Sequence, residues 1–182
     1  DLLTVDEIAE CYLCGMDGEL VKLVGGKAYG LVKLRAAGLN IPKTYVVPVT
    51  AKNFDYTKYS ELSDKVHYAV RSSADIEDGK SNSFAGMFDS YLDVPVDGLE
   101  DHIKKVVASK NNSRLQQYIE TNGLDQPNMA VVLQHFVEPE YAGVWMGKNG
   151  NSGYLEYVDG NGEKLVSGQI TPEREVWEDG VC

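Results

Sequence analysis

A glycine pair followed by a lysine is the first group in this sequence that could do chemistry. Gly25-Gly26-Lys27 offers a flexible turn, exposed backbone N–H groups and an ammonium group. The residues that follow have helical periodicity, so Lys27 stands at a predicted helix N-terminus. Orphan N–H groups and the helix dipole favour an anion there, and phosphate oxygens suit the place. The same tripeptide also occurs in plain turns, and the P-loop pattern Gly-x4-Gly-Lys-Ser/Thr is absent.

An arginine lies near the end of a later candidate strand. The run from Val66 to Arg71 alternates and is rich in β-forming residues. A guanidinium in this position presents a rigid fork that is suited to phosphate. The alternative is a structural ion pair with an acidic residue just downstream, and the two roles do not exclude each other. The candidate partners are Asp75, Glu77 and Asp78.

A third candidate group consists of oxygen donors near the C-terminal end of the sequence. Glu156 lies in a probable strand, and Gln169 follows on what the pattern predicts to be the next strand of a hairpin. Two such donors facing each other could hold Mg²⁺ against phosphates. Glu163, in the intervening turn, is a third candidate ligand. The alternative is a hairpin whose polar residues simply face solvent.

The elements that must position these residues alternate between helices and strands. Helices are predicted from Lys27 to a C-cap at Gly38, from Leu99 to Val107, and from an N-cap at Ser113 to a stop at Gly123. Because the helices fall among antiparallel hairpins, an α+β architecture is expected. The predicted strands are 45–47, 66–71, 130–137, 143–146, 154–158 and 164–169.

Composition excludes several classes of function. The formal charge of −11 over 182 residues disfavours broad contact with a nucleic-acid backbone, but it permits an anionic small molecule in a cationic cleft. The apolar runs are too short to cross a membrane, and the acidic N-terminus does not resemble a secretory signal, so we expect a cytoplasmic protein. The three histidines have no adjacent nucleophile signature, and Cys11 and Cys14 are expected to be reduced thiols.

Taken in order, these segments resemble the nucleotide-binding region of the phosphoenolpyruvate synthase and pyruvate phosphate dikinase family. The most specific part is Ala69-Val-Arg-Ser-Ser-Ala74, followed by Glu77-Asp78 and Ser83-Phe-Ala-Gly86. The similarity extends over residues 22 to 175. Rifampin phosphotransferases share the same domain, so the resemblance does not choose among substrates. Further matching segments are 25–28, 38–42, 91–94, 130–134, 160–163 and 171–173.

The resemblance implies an ATP-grasp fold, in which mainly antiparallel sheets in two lobes hold ATP and Mg²⁺. Over a single domain of residues 1–182, the first lobe would be about 22–95 and would carry the phosphate-binding and catalytic Lys27 and Arg71. The rest, about 96–182, would hold helices, an adenine hinge and a metal-binding hairpin. Glu156 and Gln169 would face metal and phosphates, and Glu163 could take one of these roles. The hinge would consist of Gln134, His135, Phe136 and Val137.

The sequence also departs from the family pattern. Family enzymes continue into a swivelling domain with a phosphate-accepting histidine, and no such motif occurs here; the interval from Pro48 to Val66 is short as well. One hypothesis is an ATP- and Mg-dependent phosphotransferase module whose acceptor, for example a phosphohistidine protein or domain, lies outside this chain. The alternatives are a non-catalytic nucleotide-binding or interaction protein, and a fragment of a longer enzyme.

Overall fold

A computed structural model describes residues 2–15, 17–51, 53–75, 87–148 and 150–182. The chain divides into two compact units, Asp1–Phe136 and Val137–Cys182. The helix that follows residue 95 packs on the same sheet as the strands before it. The two lobes that the resemblance implies, about 22–95 and 96–182, stay a prediction. In both units the strand pairs are antiparallel, as the predicted α+β class requires.

The first unit is built on a five-stranded sheet with strand order β1-β2-β5-β3-β4. Its central strand, β5, pairs with β2 on one side and with β3 on the other. The bounds are β1 Leu3–Thr4, β2 Thr44–Val47, β3 Tyr68–Ala74, β4 Ser90–Val94 and β5 Met129–His135.

Helices cover this sheet on both faces, which explains why its central strands are apolar without a strict alternation. Side chains of β2 and β5 alternate between two cores: Val46 and Val132 pack with helix Asp17–Ala36 on one face, and Tyr45 and Leu133 pack with helix Leu99–Ser109 on the other. The helices are α1 Val5–Leu13, α2 Asp17–Ala36, α3 Leu99–Ser109 and α4 Ser113–Asn122, with short 3₁₀ turns at Tyr56–Lys58 and Val96–Gly98.

The ends of α4 show how local side chains fix a helix. Gly123 adopts a left-handed conformation with φ of 61°, so the predicted stop is confirmed. The predicted N-cap at Ser113 is wrong by one residue. Asn112 is the N-cap, and its side chain accepts a hydrogen bond from the N–H of Leu115 at 2.8 Å.

The second unit is a three-stranded meander with strand order β6-β7-β8. The strand predicted over 164–169 is wrong, because a short helix, α5, forms there. Its start has a local cause: the Asn161 side chain accepts a hydrogen bond from the N–H of Glu163 at 3.2 Å. The strand that pairs with β7 comes later and was not predicted. The bounds are β6 Tyr141–Gly147, β7 Gly153–Asp159, α5 Glu163–Val166 and β8 Glu173–Trp177.

Candidate functional site

The helix that carries Lys27 is interrupted at Gly25. This glycine has φ of 76° and ψ of 171°, so α2 consists of two helical segments separated by a kink. A Cβ atom at Gly25 would lie 1.9 Å from the carbonyl oxygen of Ser73. Only glycine tolerates both this conformation and this close approach. The glycine turn predicted before Lys27 is therefore present, although helix precedes it as well as follows it.

Ser73, at the end of β3, completes the kink. Its buried hydroxyl donates to the carbonyl oxygen of Val24 at 2.8 Å and accepts from the N–H of Ala28 at 3.0 Å. It thereby satisfies one group on each side of the break, much as an N-cap side chain would. The contact fixes the N-terminus of the second helical segment against the end of β3. The sequence pattern indicates where this strand ends, but nothing in it indicates that a serine at the end would bond to both sides of the helix kink.

Lys27 lies at that N-terminus and is half-buried. Its Nζ atom lies 3.3 Å from the Oγ atom of Ser72 and donates to it. Ser72 directly follows Arg71 in β3, so the backbone that carries Arg71 lies close to Lys27, although neighbouring residues of a strand project to opposite faces of the sheet. The ammonium group and a helix N-terminus thus lie beside the end of β3, and Arg71 lies on the same strand one residue before Ser72. All three favour an anion.

Arg71 is half-buried on β3, where its Cα partners are Ser90 on β4 and Val132 on β5. Asp75, one of the three suggested ion-pair partners, bonds elsewhere: its two carboxylate oxygens accept from the backbone N–H and the side-chain amide of Asn128, at 3.1 and 2.8 Å. No salt bridge joins Arg71 to a carboxylate within the described residues. The other two suggested partners, Glu77 and Asp78, lie outside that part of the chain.

The predicted adenine hinge lies at the end of the central strand. Gln134 donates through Nε2 to the hydroxyl of Thr44 at 3.0 Å. The backbone N–H of His135 donates to the carbonyl of Lys43, and the N–H of Phe136 donates to that of His67. Val137 is exposed and is the first residue of the second unit. The four residues therefore coincide with the boundary between the two compact units, while their role toward a nucleotide stays a prediction.

The side chain of His135 has an unusual environment. Its ring lies 5.3 Å from the Tyr68 ring and 6.1 Å from the Tyr45 ring, measured between centroids. Its Nε2 atom is buried, and no described residue offers it a hydrogen bond. Burial, assisted by the positive charge of Lys43, lowers the pKa of this imidazole. Folding therefore shifts this ring toward its neutral form.

The predicted metal-binding hairpin differs from expectation. Across the sheet Glu156 faces Arg174 of β8, and Gln169 lies in the loop after α5. The expected pairing of Glu156 with Gln169 on adjacent strands is therefore wrong. Gln169 and Glu163 are both exposed, and Glu163 is the first residue of α5. Arg174 lies in the charged run 173–175 and was not among the predicted site residues.

A cavity of about 750 Å³ opens between α3 and the ends of β2 and β5. Its lining includes Val47, Ile103 and Met129, and it includes none of the predicted site residues. Val47 and Ile103 belong to the core on the α3 face of the sheet, whereas the helix that carries Lys27 packs on the other face. The cavity is nonetheless close to the contact of Lys27, because Val131, which lines the cavity, is the Cα partner of Ser72.

Comparison with known proteins identifies the family. Residues 53–179 match the family described as pyruvate phosphate dikinase, AMP/ATP-binding domain. The chain belongs to this family. The resemblance noted in the sequence is thereby confirmed, and the matched range contains Arg71, β5 and the whole of the second sheet.

Individual relatives agree with this assignment. A probable phosphoenolpyruvate synthase of Pyrococcus horikoshii is 36% identical over 135 residues, which cover 67% of this chain and 16% of that protein. A rifampicin phosphotransferase of Streptomyces sviceus is 40% identical over 119 residues, covering 60% of this chain and 14% of that protein. A phosphoenolpyruvate synthase of Aeropyrum pernix is 28% identical over 238 residues, covering 95% of this chain and 28% of that protein.

Two features of these alignments bear on the function. The chain spans well under a third of each relative, so the activities of the whole relatives are not shown for it. The alignment with the Aeropyrum protein is longer than this chain, so that protein contains residues that have no counterpart here.

Within the described residues, no helix combines the length and the apolar character that a membrane span requires.

Proposed function

We propose that this chain binds ATP and serves as the nucleotide-binding part of a phosphotransferase, passing a phosphoryl group to an acceptor outside the chain. Membership of an AMP/ATP-binding domain family supports the ligand. Relatives named phosphoenolpyruvate synthase and rifampicin phosphotransferase support the type of reaction. The acceptor would be a separate protein, domain or metabolite.

The observation that carries this proposal is the contact between α2 and the end of β3. Through the kink at Gly25 and the hydroxyl of Ser73, the N-terminus of the helical segment that carries Lys27 is fixed against the end of β3, two residues after Arg71. Phosphoryl transfer asks mainly for positioning and for neutralisation of charge on the phosphates. A lysine, an arginine and a helix N-terminus supply both without covalent chemistry.

The finer arrangement is also part of the proposal. In an ATP-grasp fold the nucleotide binds between two lobes, and residues 134–137 would then receive the adenine. In support, the N–H groups of His135 and Phe136 bond the carbonyls of Lys43 and His67, so these two donors hold the segment in place and the base would bind to its other groups. Peptide groups on a rigid strand recognise a base edge at a low entropic cost.

The predicted magnesium ligands do not fit as a set. Glu156 is ion-paired with Arg174, its Oε1 atom lying 2.8 Å from Nη2. Gln169 is not on the adjacent strand, and Glu163 is exposed on α5. Among the described residues no three acidic, histidine or cysteine side chains are grouped in a way that could hold a metal ion. Magnesium therefore enters the proposal as the ion that ATP carries on its phosphates.

Calorimetric titration with ATP tests the proposal. We expect the wild-type chain to bind ATP, and we expect Lys27→Ala to weaken binding by about tenfold or more, the effect of losing one charge-assisted hydrogen bond. Lys22→Ala is the matched control, because Lys22 is an exposed lysine on the same helix that pairs only locally with Glu19. Equal affinities for wild type and Lys27→Ala would refute the phosphate site, and a wild-type chain that does not bind ATP would refute the function.

Transfer activity is tested separately. With γ-labelled ATP and the 182-residue chain, no stoichiometric label is expected on any of the chain's own histidines, because no acceptor motif surrounds them. Mass spectrometry under alkaline conditions, which preserve phosphohistidine, checks this expectation. A clean adduct on His67, His102 or His135 would overturn the claim that the acceptor lies outside the chain.

A further inference from the structure

Glu156 and Arg174 form a polar pair on adjacent strands of the second sheet, with apolar residues around them. In the strand register Glu156 of β7 lies between Val144 of β6 and Arg174 of β8. The next row contains Met146, Tyr154 and Val176. Because alternate side chains share a face, these six residues lie on one face of the sheet. Arg174 is the only cationic side chain among the strand residues of this face that the structure describes.

The guanidinium of Arg174 binds Glu156 in an asymmetric way. Its Nε–H donates to Oε1 of Glu156 at 3.1 Å, and its Nη2 atom lies 2.8 Å from the same oxygen. A guanidinium has five N–H donors, so those on Nη1 and the second one on Nη2 are not used by this carboxylate. With 53% of its side chain exposed, Arg174 presents the remaining donors to solvent.

A second contact holds the same guanidinium in place. Its Cζ atom lies 4.1 Å from the centroid of the Tyr154 ring, which is cation–π geometry. The carboxylate and the ring restrain the side chain from two directions. An arginine that is already ordered loses less entropy when it binds a ligand, so its free donors are preorganised.

We propose that Arg174 is an anion-binding residue for a phosphate group of the nucleotide, and that Glu156 positions Arg174 rather than coordinating a metal. This inference rests on the proposed function, since it assumes that the phosphate belongs to ATP. A carboxylate paired with an arginine is a poor magnesium ligand, because a cation on its other oxygen would lie close to the positive charge of the guanidinium. The same bond makes the carboxylate a good orienting group for that guanidinium.

Calorimetric titration of the 182-residue chain with ATP, in excess Mg²⁺ and separately in EDTA, tests the inference. Arg174→Ala is expected to weaken ATP binding by about 10- to 100-fold under both conditions, the range for a lost charge-assisted hydrogen bond. Arg174→Lys should fall between wild type and alanine, because it keeps the charge but loses the fork. Lys148→Ala, which removes the same charge from an exposed position in the second unit, should bind like wild type.

Glu156→Gln separates the two roles of the carboxylate. If Glu156 positions Arg174, this variant weakens ATP binding by the same factor with Mg²⁺ and with EDTA. A loss seen only with Mg²⁺ would make Glu156 a metal ligand and would overturn the inference. Thermal melting of each variant confirms that it is folded, and an Arg174→Ala protein that is folded and binds ATP like wild type would also overturn it.

Inorganic tripolyphosphate distinguishes failure of this inference from failure of the proposed function. If the wild-type chain binds tripolyphosphate but not ATP, and Arg174→Ala abolishes that binding, the anion site stands and the nucleotide function falls. If the wild-type chain binds neither ligand, both fall.

Discussion

The carbonyl oxygen of Ser73 occupies the space in which any side chain on Gly25 would have to lie. A Cβ atom there would approach that oxygen to 1.9 Å, and the glycine also has a positive φ of 76°. The glycine is therefore required twice, by its conformation and by the strand packed against it. This close contact, together with the hydrogen bonds of Ser73, holds the helical segment that carries Lys27 against β3.

Gly25→Ala is expected to destabilise the protein by about 3 kcal/mol or more, because strain at a positive φ is added to a clash with backbone. Urea denaturation followed by circular dichroism measures the free energy of unfolding. Gly30→Ala is the matched control on the same helix, since a Cβ at Gly30 has no atom within 4 Å. That variant should gain roughly 0.5–1 kcal/mol from improved helix propensity. Similar stabilities for the two variants would contradict the importance of the kink.

Arg71→Lys is expected to impair ATP binding almost as much as Arg71→Ala, although it keeps the positive charge. The planar fork can bind two phosphate oxygens at once, and an ammonium group cannot reproduce that geometry. We expect a loss of about 2–4 kcal/mol in any transfer reaction if the fork stabilises charge on the transferring group. Titration calorimetry and single-turnover kinetics measure the two effects.

Arg114→Lys is the control for this prediction, since Arg114 is exposed on α4. If Arg71→Lys binds ATP like wild type and like this control, Arg71 contributes charge alone and the fork has no role.

Much of the fold could be predicted from the sequence because its signals are local. The helix from Leu99 follows from apolar periodicity, and the stop at Gly123 follows from glycine's tolerance of a left-handed conformation. The sequence pattern predicts a strand where α5 forms, because the start of α5 depends on the side chain of Asn161. Four helical residues are also too few to show the apolar periodicity of a helix. Helix α1, which lies outside the resemblance, was not predicted.

The candidate site shows the same limit. Gly25, Lys27 and Arg71 could be selected by residue type, because phosphate chemistry needs cations and free N–H groups. The contact of Ser73 with two residues of α2 joins positions 45 and 49 apart in sequence, and no local pattern indicates it. The pairing of Glu156 with Arg174 depends on which strand lies beside β7. The sequence pattern predicts a strand over 164–169 in that place, whereas β8 occupies it in the structure. Contacts of this kind join residues that are distant in sequence, so the structure is needed to identify them.

The N-terminus of α4 gives a prediction that separates two adjacent residues. Asn112→Ala should destabilise the protein by about 1–2 kcal/mol, because the side chain caps the helix and also donates to the carbonyls of Met87 and Ser109, at 2.8 and 2.7 Å. Ser113→Ala should change stability by less than about 0.5 kcal/mol, since this exposed residue is not the cap. Urea denaturation of both variants measures the difference, and a larger loss for Ser113→Ala would restore the cap that the sequence suggested.

The environment of His135 predicts how stability depends on pH. Burial, together with Lys43, lowers the pKa of this imidazole in the folded protein, whereas the unfolded chain titrates near the ordinary value of about 6.5. Between the folded pKa and about 6.5 the unfolded state binds more protons, so the stability contributed by neutral His135 is fully present above that range and is lost as pH falls through it. Other groups also titrate in acid, so the difference between variants isolates the contribution of His135.

His135→Phe, which keeps an aromatic ring against Tyr68 but cannot be protonated, should lose less stability than wild type between pH 7.5 and pH 5. Lys43→Met should also reduce the loss, because it removes the charge that opposes protonation. Chemical denaturation at several pH values measures both effects. Identical pH profiles for wild type and His135→Phe would show that His135 takes up its proton as readily in the folded as in the unfolded chain.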